Sequence, residues 1–155
     1  MYTTRVSRHV DAPRTAVFQA LADGDAVARW RFPDGMRALV HSFDPRPGGA
    51  FRVSLTYDTP GAHGKSHGRT DTYHGTFRDL AAGERVVEEL EFETADAALR
   101  GVMTMTTTLA DEGAGTRVTV VHAGVPDAVP AADNEAGLRM ALDRLARLVE
   151  AERAS

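Results

Sequence analysis

The sequence has no cysteine, one lysine (Lys65), one tryptophan (Trp30) and few aromatic residues, 6% of its 155 positions. Without cysteine there can be no disulfide, no cysteine-ligated zinc and no thiol nucleophile, and the reducing cytoplasm becomes the expected compartment. Long apolar runs are also missing. None approaches the roughly 20 residues a membrane-spanning helix needs, and the opening MYTTRVSRHVDAP has no apolar core of a signal peptide. Concentrated positive charge is absent as well. The net charge is −4 and the pI near 5.8, with arginines scattered among carboxylates, which argues against nucleic acid as a partner. No repeat or low-complexity tract is present. The length predicts one domain, residues 1–155, large enough for a sizeable core.

What is present is patterned. In residues 133–153 the apolar positions Leu138, Ala141, Leu142, Leu145, Leu148 and Val149 recur at helical spacing, with Asp133 or Asn134 as the expected N-cap. A first strand is expected over 3–10, then a helix opened by Pro13 and carrying Val17, Phe18, Leu21 and Ala22, and a shorter helix over 26–30. Period-two patterns follow over 36–43, 51–57, 70–77, 85–94, 99–109 and 116–125. They place Leu39, His41 and Phe43 on one face, and Leu90 and Phe92 opposite Glu89, Glu91 and Glu93. Met103, Met105 and Leu109 share a face, and Val118, Val120 and His122 point inward. The order of strand, two short helices, six strands and long helix predicts an α+β domain whose curved antiparallel sheet wraps the last helix.

Ala12-Pro13 at a strand end, Trp30 after the helix pair, the turn Asp44-Pro45-Arg46-Pro47-Gly48-Gly49, and Thr116 to His122 before Pro126 resemble the homologues of the activator of heat-shock protein 90 ATPase. These belong to the START-like (SRPBCC) superfamily. The family often opens its last helix with Gly-Trp, where this chain has Gly137-Leu138. The resemblance implies a helix-grip fold and leaves the activity open among carriers, receptors, cyclases and co-chaperone domains.

The Asp44 to Gly49 turn lacks the Gly-Lys-Ser/Thr ending of a phosphate loop. His63 and His67 have the spacing of helical metal ligands, but Gly61, Gly64 and Gly68 argue against a helix, so neither a metal nor a cofactor is expected. The acidic residues Glu88, Glu89, Glu91 and Glu93 are expected mostly outside, protecting an edge. No Ser/His/Asp triad or carboxylate pair is legible. The leading expectation is therefore a cavity for a small hydrophobic molecule. Its lining candidates are Trp30, Phe43, Val53, Leu55, Tyr57, Leu90, Met103, Met105, Leu138 and Leu142, with His122 as a polar anchor. The alternatives are a cyclase, dehydratase or hydrolase on a hydrophobic substrate, and a co-chaperone of heat-shock protein 90; a homodimer stays open.

Overall fold

The computed structural model describes residues 1–59, 64, 66, 68 and 70–154. Strand β1 (Tyr2–Val10) leads into helices α1 (Arg14–Leu21) and α2 (Gly24–Trp30). Strands β2 (Met36–Phe43), β3 (Ala50–Tyr57), β4 (Thr70–Ala81), β5 (Arg85–Phe92), β6 (Met103–Glu112) and β7 (Gly115–Val125) follow, and helix α3 (Ala131–Ala154) ends the chain. Among the described residues the seven strands form one antiparallel sheet in the order β1-β7-β6-β5-β4-β3-β2. Each strand from β2 to β7 therefore lies beside its neighbour in sequence. The β1 to β2 connection instead runs from one edge to the other, and α1 and α2 cover that crossing. This is an α+β helix-grip arrangement. No helix among the described residues is long and apolar enough to cross a membrane.

The stripe on α3 is where the sheet is gripped. Ala141, Leu142, Leu145, Ala146 and Val149 are buried, and Leu138 and Leu148 pack at their margin, so one helical face meets the concave side of the sheet. The helix starts two residues before the expected cap. Its first turn closes on Pro130, whose carbonyl accepts from Asn134 N at 3.0 Å, and Asp133 lies inside that turn. Asn134 is thereby turned toward the sheet. Helix α2 also starts earlier than expected, at Gly24, with the Asp23 side chain accepting from Asp25 N as cap.

Three expectations are corrected by strand register. Leu39 and His41 point to solvent, Leu39 being 60% exposed, because β2 carries a bulge at His41 between the Val40–Val53 and Ser42–Arg52 pairs. The extra residue reverses the parity and returns Phe43 to the inner face beside Phe51. Second, β5 is an interior strand, so its acids protect no edge. Glu89 pairs with Arg78, Glu93 with Arg52, and His74 bridges Glu91 and Glu93 at 3.0 Å each, all on the outer face. Third, Glu88 shares Leu90's parity and faces inward, 3% exposed.

Aromatic side chains line the inner surface in sequence of contact. Phe43 meets Phe77 edge-on at 5.2 Å between centroids, Phe77 meets Phe51 at 5.0 Å, and Phe51 meets Tyr73 at 6.2 Å. Gly75 makes room for them. A Cβ there would collide with the Glu89 carbonyl and come within 2.8 Å of Phe51 Cζ.

Candidate ligand cavity

Helix α3 closes on the sheet only along part of its length. From Leu142 onward it is packed against the core, whereas from Asp133 to Ala141 it stands over the sheet and leaves a cavity of about 680 Å³. Strands β3 to β7 form its floor, the 31–36 segment after α2 forms one wall, and Ala128, Val129 and Pro130 before α3 form another. The 31–36 wall is fastened to α3. Asp34 accepts from Arg144 at 2.6 Å and its backbone N–H donates to Met140 Sδ at 3.3 Å, while the Arg144 guanidinium lies 4.4 Å from the Phe32 ring centroid.

Most of the lining is apolar, but one end is not. A row of directly paired residues crosses the inner face, Thr4–His122–Met105–Glu88–Phe77, so His122 and Glu88 look to the same side. Arg31, just past the end of α2, meets Glu88 at 2.7 Å and Met105 Sδ at 3.3 Å, and lies 5.4 Å from the Tyr73 ring centroid. The side chains of Arg31 and Glu88 are 15% and 3% exposed, which makes this a buried ion pair whose halves depend on each other. Burial works against the Arg31 charge, yet Glu88 outweighs it and the guanidinium is raised above its ordinary value. Burial also raises the Tyr73 hydroxyl. His122 is pushed down to about 4, first by burial and then by the Arg31 cation, so at neutral pH it is an uncharged imidazole. Its Nδ1 lies 3.4 Å from Asn134 Nδ2.

The chain matches the family described as activator of Hsp90 ATPase homolog 1-like protein over residues 11–150. The chain belongs to that family. A crystal structure of a protein from Chromobacterium violaceum is 33% identical to this AHSA1-like chain, with a TM-score of 0.86 over 96% of this chain and 97% of the other. Two more distant structures share the fold. One from Mycobacterium smegmatis is 22% identical, with a TM-score of 0.76 over 97% and 92% of the two chains. An AHSA1-like protein from Aeromonas hydrophila is 21% identical, with a TM-score of 0.73 over 99% and 95%. No curated protein matches. The AHSA1-like fold is START-like, a fold that commonly binds hydrophobic ligands.

Of the residues expected to line a cavity, this AHSA1-like chain brings together Leu55, Tyr57, Leu90, Met103, Met105, His122 and Leu138. Four lie elsewhere. Trp30 is folded under α1, its indole N–H donating to the Ala20 carbonyl at 2.9 Å. Phe43 packs against Phe77 and Gly24, and Val53 is buried in the core beside its strand partner Tyr73. Leu142 sits where α3 has already closed, and shares with Trp30 only a void of about 30 Å³. Of the other histidines, His41 is exposed against Ser54 and His74 is held on the outer face; Tyr73 faces inward instead. His63 and His67, with their metal-ligand spacing, lie outside the described residues. Among the described residues no three His, Asp or Glu side chains gather as a metal site. The sequence reading missed Arg31, Glu88 and Asn134, and left open which of Tyr73 and His74 faces inward. Parity with Leu90 signals Glu88, and parity with Phe77 signals Tyr73; Arg31 and Asn134 carry no such mark.

Proposed function

We propose that the protein binds a small, mainly apolar molecule between the sheet and the first half of α3. The observation that carries this reading is the cavity of about 680 Å³, a volume within the range of about 300–1,000 Å³ typical of small-molecule sites. Met103 and Met105 give its floor side chains that adapt to varied shapes. An enzyme reading has less support. His122, held near 4, is a weak base at neutral pH, and Glu88 is tied to Arg31. On the cysteine-free composition we place the protein in the cytoplasm, acting as one domain.

The test fills the cavity. Leu138→Trp, at the α3 wall, is expected to weaken binding of the neutral fluorophore N-phenyl-1-naphthylamine at least about tenfold with the far-UV spectrum unchanged. Native mass spectrometry of freshly purified protein is expected to show a copurifying small molecule that the variant loses. If wild type binds no fluorophore and carries nothing, the cavity is not a ligand site.

A further inference from the structure

Three polar atoms in the cavity lining are buried without a hydrogen-bond partner among the described residues: the Tyr73 hydroxyl, His122 Nε2 and Asn134 Oδ1. Tyr73 and His122 are 6% and 4% exposed. Folded proteins leave few buried polar atoms unmet, since each loses its water without replacement. Here three share one cavity.

Their chemistry defines what could meet them. Asn134 Nδ2, which can only donate, lies 3.4 Å from His122 Nδ1; with the amide in this orientation Nδ1 accepts and the ring proton sits on Nε2. The cavity thus presents two donors, an Nε2–H and a phenolic O–H, and one acceptor, Asn134 Oδ1, which a carbonyl oxygen does not meet. The nearby cation Arg31 is already neutralised by Glu88 at 2.7 Å, and Asp71 and Asp133 also belong to the lining, so among the described residues a carboxylate would find no uncompensated positive charge.

We infer that this end of the cavity recognises an uncharged oxygen acceptor, the carbonyl of an otherwise apolar ligand, through His122 Nε2–H and the Tyr73 hydroxyl. This rests on the reading that the cavity holds an apolar molecule, and it adds the polar group such a molecule must carry.

The experiment displaces N-phenyl-1-naphthylamine with three compounds of similar size: hexanophenone, hexylbenzene and 6-phenylhexanoate. Wild type is expected to bind the ketone at least about tenfold more tightly than the carboxylate. Tyr73→Phe and His122→Leu are each expected to lower the ketone-to-hydrocarbon affinity ratio about 2- to 10-fold, the worth of one neutral hydrogen bond. In long-range 1H–15N spectra of wild type, which need no variant, the His122 ring signals should move with the ketone and stay with hexylbenzene. If all three compounds displace the fluorophore, the ratio survives both substitutions and the ring signals respond alike, the carbonyl inference is overturned while the apolar-ligand reading stands. A carboxylate bound more tightly than the ketone overturns it too. If the fluorophore never binds, both readings fall together.

Discussion

At the scale of single residues, His122 couples the cavity to pH. Its imidazole is opposed in the charged form by burial and by Arg31, which hold it near 4 against an ordinary 6.5. As pH falls from 6.5, the unfolded chain takes up a proton that the folded chain refuses until about pH 4. The contribution is therefore complete above pH 6.5, shrinks between 6.5 and 4, and levels below 4. The loss over that window is on the order of 3 kcal/mol. Urea unfolding of wild type and His122→Leu at pH 7 and pH 4.5 checks this, and wild type is expected to lose more stability than the variant. Parallel losses would mean that the folded imidazole takes up its proton as the unfolded chain does and is charged at pH 4.5. Inward parity made His122 legible in the sequence, because the alternation of Val118 and Val120 continues through it. Arg31 was not legible, since its role depends on Glu88 reaching it from a strand 57 residues away, and single-chain periodicity carries no such pairing.

At the scale of elements, α3 divides into a part that packs and a part that lines. Leu145 is fully buried, whereas Leu138 is only partly so and faces the cavity. Leu145→Ala is expected to cost about 2–5 kcal/mol, through lost burial and the hole left behind. Leu138→Ala should cost about 1 kcal/mol or less, because the space it vacates joins one that already exists. Chemical denaturation of the two variants decides it, and equal costs would place the packed segment elsewhere. The strands were legible because period two survives wherever one face is buried. What periodicity could not show were the bulges, in β2 at His41 and in β4 between Phe77 and Asp79. A bulge adds one residue without any compositional mark, so Leu39 and His41 read as sharing a face with Phe43 when they do not. Nor could alternation reveal strand order, which is why the acids of β5 looked like edge residues.

At the scale of the whole molecule, six strands form a meander and one does not. Between β2 and β7 every pairing joins neighbours in sequence, but β1 waits for β7, with Val6 opposite Val120. The buried bond from Thr116 Oγ1 to the Ala12 carbonyl spans 104 residues. Long closures add entropy cost before contacts reward it, so β1 is expected to dock after the transition state. Val6→Ala, at a cost of about 2 kcal/mol, should then act on unfolding, raising that rate while folding stays within about twofold. Leu90→Ala, inside the meander, should slow folding. Stopped-flow chevrons separate the two, and a Val6→Ala variant that folds markedly slower would place β1 in the nucleus.

The same crossing has a consequence during synthesis. Among the described strands, the first to leave the ribosome is the one whose partner is made last. At about 5–20 residues per second, the nascent β1 spends on the order of ten seconds as an unpaired segment, with Val6 and Val10 uncovered until Gly115–Val125 emerges. For that interval β1 is open to pairing with β1 of another copy on the same messenger, and Arg5 and Arg8 are the charges that stand against such a match.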